Sequence, residues 1–185
     1  MNFGPGRLVI LSGPSGVGKD TVLLEWQKVN SDLIRVVAAT TRLPREGEVD
    51  GADYHFLSEE AFKSKAEAGG FLEHKQYGSS WYGTPLDQVE KLTGQGKVAV
   101  LKIEVQGAAE VRSMMPDVLS IFLLPPSFEE LEHRIRNRGT ETEEQIQKRL
   151  ARAKLELAEA DAYTHRVIND DLKRCVEELE RILNG

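Results

Sequence analysis

The chain has 185 residues, of which 40% are hydrophobic, and its net charge is −6 at pH 7. This length suits one domain with small insertions, and no apolar run reaches the ~18 residues that a membrane span requires. The acidic balance disfavours general nucleic-acid binding, which depends on basic surfaces, and the lone Cys175 without a signal-peptide pattern predicts a cytoplasmic protein.

The first part of the chain mixes helix and strand patterns. Its predicted elements are, in order, a buried strand at 7–12, a helix at 18–29, a strand at 34–40, a strand at 54–57, a helix from 59 and a strand at 71–77. Ser58 is placed to cap the helix that begins at Glu59. The strands at 54–57 and 71–77 alternate in polarity, so we expect small antiparallel strands there.

From residue 86 onward, helices and strands alternate. The predicted elements are a helix at 86–92, a strand at 98–103, a helix at 106–114, a strand at 118–124, a helix from 128, a helix from 143 to about 160, a strand at 166–168 and a helix at 170–183. Capping boxes at Ser127 and Thr142 mark two helix starts. Alternation at both ends of the chain predicts an α/β fold with a central parallel sheet flanked by helices, and residues 40–85 are predicted to form an inserted α+β lobe.

A glycine-rich motif follows the first predicted strand and opens the first predicted helix. It matches the pattern GxxxxGK and consists of Gly13, Pro14, Ser15, Gly16, Val17, Gly18 and Lys19. In this context the backbone N–H groups and the lysine bind the phosphates of a nucleotide; an ordinary glycine-rich turn is the alternative. The next residue normally carries a hydroxyl that binds Mg²⁺, but here it is Asp20, followed by Thr21, so the motif alone does not define the metal site.

Two groups of arginines concentrate positive charge in this acidic chain. Arg42 and Arg45 follow a predicted strand and suit a dianionic phosphate, although a solvated basic turn is the alternative. The second group comprises Arg134, Arg136, Arg138 and Arg149. Arginines on a mobile segment stabilise the charge that develops during phosphoryl transfer. The alternative for this group is surface pairing with Glu130, Glu141 or Glu144.

Several blocks, spaced along the chain in order, resemble the guanylate kinase family over nearly the whole length. They are GPSGVGK (13–19), TTRLPREGEVDGADYHF (40–56), FLEH (71–74), WYGTP (81–85), EVQGA (104–108), LPPS (124–127), RNRGTETEE (136–144) and VINDD (167–171). The resemblance implies transfer of a phosphoryl group from ATP to GMP, giving ADP and GDP, with Mg²⁺ accompanying ATP. It also implies a P-loop core at 1–37, 88–126 and 146–185, a GMP-binding insertion at 38–87 and a lid at 127–145, in a monomer or homodimer.

The resemblance assigns roles to individual residues. The GMP phosphate would be held by Arg42, Arg45, Tyr54 and Tyr82, and guanine by Glu73, Thr84 and Glu104. ATP would be bound by the glycine-rich motif together with Asp20, Thr21 and Asn169. Catalysis would involve Lys19, Arg42, Arg134, Arg138 and Arg149. A carboxylate suits guanine, whose N1–H and N2–H₂ donors lie side by side, whereas adenine offers no such pair.

Several positions depart from the family pattern. Ala38 stands where a serine usually contacts guanine, Glu104 replaces the more usual Asp, and Lys102 stands where an Asp usually helps to hold the Mg²⁺ shell. In one interpretation Asp20 takes over the metal-facing role, directly or through a water, while Lys102 pairs with it or contacts phosphate. In the other, Asp20 and Lys102 form an ion pair, and ATP and water hold the metal.

Two other functions fit parts of the pattern. Ribose bisphosphate phosphokinases are similar in the core and can carry Asp after the motif lysine, but Tyr54, Glu73, Tyr82 and Thr84 form a complete set for GMP. Guanylate-kinase-like scaffold modules bind proteins and have typically lost an intact phosphate loop. Retention of Lys19 therefore favours catalysis over the scaffold function.

Overall fold

The computed structural model describes residues 3–137 and 142–185. The strands of this part are β1 (Arg7–Ser12), β2 (Leu33–Arg35), β3 (Ala39–Thr40), β4 (His55–Phe56), β5 (Phe71–Tyr77), β6 (Ser80–Pro85), β7 (Val98–Lys102), β8 (Leu119–Leu124) and β9 (His165–Ile168). The helices are α1 (Lys19–Val29), α2 (Glu59–Glu67), α3 (Leu86–Gly94), α4 (Val105–Met114), α5 (Phe128–Arg136), α6 (Glu143–Ala158) and α7 (Leu172–Asn184).

Residue contacts divide the chain into two units. The first unit consists of Met1–Leu8, Ile34–Leu101 and Gln106–Val118, and the second of Val9–Leu33, Lys102–Val105 and Leu119–Gly185. The second unit contains the glycine-rich motif and most of the long helices, whereas the first contains the segment that the sequence predicted as an inserted lobe.

The central sheet has the strand order β2-β7-β1-β8-β9. Strand β1 runs parallel to β8, with Val9 opposite Leu119, and β8 runs parallel to β9, with Leu123 opposite Val167. The middle of β1 and of β8 is fully buried, as expected for parallel strands covered on both faces by helices. The predicted α/β class, with a central parallel sheet flanked by helices, is confirmed.

A second sheet, in the first unit, has the order β4-β3-β6-β5. Strand β6 is antiparallel to both β3 and β5. Strand β4 pairs with β3 in parallel, so the prediction of an antiparallel strand at 54–57 is wrong. Alternating polarity indicates which face a strand buries but carries no information on the direction of its neighbour. Phe62 of α2 and Phe71 of β5 stack with centroids 4.4 Å apart and form the core below this sheet with Ala39.

The predicted strand at 34–40 is divided in the structure. Residues Leu33–Arg35 form β2 of the central sheet, and Ala39–Thr40 form β3 of the second sheet. A β-branched run favours extended backbone, but it does not specify that the chain leaves one sheet for another within it.

Helix starts follow the capping signals in the sequence. The Ser58 side chain accepts a hydrogen bond from the Ala61 N–H, and Thr142 forms a complete capping box with Gln145. Helix α7 begins two residues later than predicted because Asp171 is its N-cap. The apolar face of α7 includes Cys175, which is fully buried and whose pKa is raised by burial to about 12. Among the described residues, the helices are too short or too polar to cross a membrane.

Candidate active site

The glycine-rich motif connects β1 to α1, and its last residue before the helix has a left-handed backbone conformation. Gly18 is the N-cap of α1 and has a φ of 98°, a conformation that L side chains rarely adopt. A Cβ atom at Gly18 would also lie 2.8 Å from Nδ2 of Asn169. Among the described residues no side chain caps α1. Because backbone N–H groups point toward the N-terminal end of a helix, those at the start of α1 face the loop, which is the arrangement that binds a phosphate.

The side chain of Lys19 lies over this loop. Its ammonium group donates to the carbonyl oxygens of Gly13, at 2.6 Å, and of Pro14, at 3.1 Å. Burial lowers the pKa of Lys19, and the nearby carboxylates of Glu104 and Glu156 oppose that effect. The structure thus brings together the loop and its lysine as the motif predicts.

Two further side chains hold the loop from the carboxyl side of the sheet. Nδ2 of Asn169 donates to the carbonyl of Val17 at 2.8 Å, and Arg134 donates to the carbonyl of Asn169 at 3.1 Å. Arg134 also pairs with Glu130 through its Nε atom at 2.8 Å. This contact is the surface pairing that the sequence left open, and it positions the guanidinium beside the loop.

Helix α6 contributes a charged row that meets the loop at Ser15. Arg149 donates to the Ser15 hydroxyl at 2.8 Å, and Glu156 accepts from the Ser15 N–H at 3.0 Å. Glu156 is only 3% exposed, and Arg152 donates to it at 2.6 Å. Sequence reasoning missed both Glu156 and Arg152. The available signal was a carboxylate on the apolar stripe of α6, one turn beyond the buried Ala153.

Arg152 also reaches Glu104, which follows β7. Nη2 of Arg152 lies 2.6 Å from Oε2 of Glu104. Burial raises the pKa of the Glu104 carboxyl, and the neighbouring ammonium of Lys19 acts in the opposite direction. In this structure Glu104 therefore belongs to the charged cluster around the loop, and its predicted contact with guanine stays a prediction.

Asp20 and Lys102, the two unusual positions, form an ion pair. Nζ of Lys102 donates to Oδ1 of Asp20. The Asp20 side chain is 69% exposed and that of Lys102 is 15% exposed, so the lysine is the more firmly held member. Thr21, the next residue, is exposed. Within the described residues no three His, Cys, Asp or Glu side chains are grouped as metal ligands.

The predicted guanine residues Glu73 and Thr84 meet in the first unit. They lie opposite each other on β5 and β6, and the Thr84 hydroxyl donates to Oε1 of Glu73 at 2.6 Å. Both are buried, and burial raises the pKa of the Glu73 carboxyl. A Cβ atom at Gly107 would lie 2.6 Å from Oε2 of Glu73, so this glycine leaves the space that the carboxylate occupies.

The predicted phosphate residues of GMP are also in the first unit. The Arg42 guanidinium lies 5.4 Å from the ring centroid of Tyr54, whose ring packs edge-on against Tyr82. Arg42 makes two hydrogen bonds of 2.9 Å to the carboxylate of Glu48, which sequence reasoning missed. Arg45 is exposed, and its backbone N–H donates to the same carboxylate at 2.7 Å.

Two arginines of the second predicted group remain, Arg136 and Arg138. Arg136 pairs with Glu132 and Glu143 and so lies in a surface ion-pair network. Arg138 and the alternative partner Glu141 lie outside the described residues.

Comparison with known proteins identifies the family. Residues 5–185 match the sequence model of the family described as guanylate kinase. A guanylate kinase of Gloeobacter violaceus is 48% identical over 177 residues, covering 96% of this chain and 86% of its own, and one of Thermosynechococcus vestitus is 46% identical, covering 95% and 92%. The crystal structure of guanylate kinase from Anaplasma phagocytophilum aligns with a TM-score of 0.79 at 31% identity, covering 98% of this chain and 86% of its own. The chain therefore belongs to the guanylate kinase family.

Proposed function

We propose that the chain transfers the γ-phosphoryl group of ATP to GMP, giving ADP and GDP. The observation that carries this proposal is the buried Glu73–Thr84 pair in a chain whose phosphate loop retains Lys19. A carboxylate accepts from both N1–H and N2–H₂ of guanine, and an unsatisfied buried carboxylate would disfavour adenine. A phosphate loop that retains its lysine favours catalysis over a scaffold role.

The GMP phosphate is taken by Arg42, Arg45, Tyr54 and Tyr82. The two parallel hydrogen bonds between Arg42 and Glu48 have the geometry that a guanidinium makes with a phosphate. The Glu48 carboxylate therefore engages the two Nη groups that a phosphate of GMP would use, while Tyr54 packs against one face of the guanidinium. Thr84 and Glu104 complete the contacts to guanine.

The reaction needs positioning and charge stabilisation more than acid–base chemistry. A phosphate oxygen of GMP attacks the γ-phosphorus in line, and an ionised phosphate needs no general base. Lys19, Arg134, Arg138 and Arg149 stabilise the charge that develops on the transferring group. We assign the core to 1–37, 88–126 and 146–185, GMP binding to 38–87 and the lid to 127–145, whose closure excludes water.

Mg²⁺ accompanies ATP in this proposal. The ion prefers one or two carboxylates together with phosphate oxygens and waters, and the Asp20 carboxylate at the start of α1 fits that donor set through a water. When bound, Mg²⁺ neutralises part of the charge on the β- and γ-phosphates. Asn169 lines the adenine side of the nucleotide site.

The test is an assay of ADP release by the purified chain with four acceptors: GMP, dGMP, AMP and ribose 1,5-bisphosphate. We expect rapid release with GMP, slower release with dGMP and little with AMP. ADP release that occurs only with ribose 1,5-bisphosphate would show that this compound, and not GMP, is the acceptor. Absence of ADP release with every acceptor, together with intact folding, would contradict the enzyme assignment.

A further inference from the structure

The ion pair of Asp20 and Lys102 places two opposite charges beside the phosphate-binding lysine. Asp20 is the second residue of α1, and Lys102 is the last residue of β7. Burial lowers the pKa of Lys19, and of these two neighbours Lys102 lowers it further while Asp20 raises it. Asp20 follows Lys19 directly in the chain, so both charges of the ion pair lie next to the end of the phosphate loop.

This arrangement differs from the usual one in charge. Phosphate-loop enzymes generally hold Mg²⁺ with a hydroxyl on the loop and a carboxylate on a strand, so the two groups together carry one negative charge. Here a carboxylate on the helix and an ammonium on the strand sum to zero. The site is thus one unit more positive than the usual arrangement, beside a ligand with three or four negative charges.

The exposure of the two partners indicates their separate roles. The Lys102 side chain is 15% exposed and ends at the carboxylate of Asp20, which is 69% exposed. A lysine held in one place loses less conformational entropy when it meets a ligand than a solvated lysine does. Lys19 already donates to two loop carbonyls, and Lys102 adds a second ammonium at Asp20, the residue that follows Lys19.

We propose that Lys102 binds the terminal phosphates of ATP and ADP, with Asp20 as the positioning residue that holds its ammonium at the phosphate loop. The proposal rests on the proposed ATP site. Its consequence is that the site carries one negative charge fewer than the usual arrangement, so nucleotide affinity depends less on the metal.

The experiment measures affinity rather than turnover. Isothermal titration gives Kd for ADP and for a non-hydrolysable ATP analogue, each with Mg²⁺ and with EDTA. For the natural chain we expect EDTA to weaken binding by less than about tenfold, because one retained charge contact is worth roughly one factor of ten. Lys102→Met is expected to weaken binding in EDTA by about tenfold or more and in Mg²⁺ by less, whereas Lys102→Arg retains most of the affinity.

A double substitution tests the pairing itself. Lys102→Asp alone leaves two carboxylates side by side and is expected to bind nucleotide worst in EDTA. Asp20→Ser combined with Lys102→Asp recreates the usual hydroxyl and carboxylate. We expect the combination to regain affinity in Mg²⁺ relative to Lys102→Asp alone, while the ratio of Kd in EDTA to Kd in Mg²⁺ becomes several-fold larger than in the natural chain.

Lys63→Met is the matched control, since Lys63 forms an exposed ion pair with Glu59 on α2. It should leave both affinities unchanged, and thermal melting together with GMP titration shows whether each variant is folded. Nucleotide affinity in EDTA that stays within about twofold in folded Lys102→Met would overturn the role of Lys102. Failure of the natural chain to bind the ATP analogue in either condition would instead overturn the proposed function.

Discussion

The carboxylate of Glu156 accepts a hydrogen bond from the backbone N–H of Ser15 at 3.0 Å, across 141 residues of sequence. One turn earlier and on the same helix, Arg152 bridges Glu156 to Glu104. Helix α6 therefore holds the phosphate loop at Ser15 from outside the motif. A charged side chain can hold a loop in this way only if its own charge is paired, which Arg152 provides.

Two substitutions of Glu156 distinguish the effect of losing its charge from the effect of losing its hydrogen bond to the loop. Glu156→Gln keeps an acceptor for Ser15, so we expect stability close to that of the natural chain and KM for ATP raised several-fold. Glu156→Leu removes the acceptor of the Ser15 N–H and one of the two carboxylates that pair with Arg152, and is expected to destabilise the fold by about 1–3 kcal/mol. Urea unfolding and steady-state kinetics measure the two effects. A change in KM for GMP alone would contradict this assignment.

Lys19 is expected to stabilise the transition state at the expense of the fold. Lys19→Met should lower kcat by about 100-fold or more, as loss of a main charge contact does. Because burial lowers the pKa of Lys19, the folded state releases its proton more readily than the unfolded chain, so the charged form opposes folding at neutral pH. We therefore expect Lys19→Met to melt at an equal or higher temperature by calorimetry. A lower melting temperature would show that the ammonium stabilises the loop.

The pKa of Glu73 predicts how the stability of the fold changes with pH. Its folded-state pKa is raised above the ordinary value of 4.5 by burial. The stability that this group contributes is therefore fully present below that ordinary value and is lost as the pH rises through the raised pKa. Glu73→Gln keeps an acceptor for Thr84, so the variant should gain stability relative to the natural chain at pH 8 but not at pH 4.

Glu73→Gln is expected to weaken GMP binding, although it stabilises the fold at pH 8. An amide presents one acceptor where the carboxylate presents two, so KM for GMP is expected to rise by about tenfold or more while KM for ATP changes little. Thr84→Val is the companion variant, since it removes the hydroxyl that orients Glu73. Unaltered KM for GMP in both variants would contradict the guanine site.

Ala38 is a position at which a substitution is expected to improve the binding of GMP. Ala39 lies opposite Gly83 and Thr40 opposite Tyr82 in the antiparallel pair of β3 and β6, so continuing this register places Ala38 across from Thr84. A hydroxyl there adds one hydrogen bond to guanine, and Ala38→Ser is expected to lower KM for GMP by about threefold to tenfold. Ala38→Val, which adds volume without a hydroxyl, should not do so. Competition by AMP serves as the specificity control.

Local signals in the sequence predicted much of the fold. The strand, loop and helix around Lys19 appear as predicted because glycines and an apolar run determine them within twenty residues. Ser58 and Thr142 cap their helices as predicted, since a cap depends only on its own first turn. The family blocks also predicted that Glu73 and Thr84 belong together.

Features that depend on distant partners could not be predicted in the same way. The division of 34–40 between two sheets depends on β6, a distant segment in which Gly83 and Pro85 interrupt the run of strand-forming residues. Glu48 and Arg152 occur in runs of charge that usually face solvent, and only tertiary contacts distinguish them from their neighbours. The sequence allowed the pairing of Asp20 with Lys102 but did not require it, because 82 residues separate them.

The burial of Cys175 makes the chain convenient for spectroscopy. This is the only cysteine of the sequence, it is fully buried, and burial raises its pKa to about 12, so its thiol is hardly ionised at neutral pH. A maleimide dye should therefore react only with cysteines introduced at exposed positions, with no need to remove the natural one. Leu43 and Leu155, which are 83% and 74% exposed, are suitable sites for a donor and an acceptor fluorophore that report on substrate-induced movement.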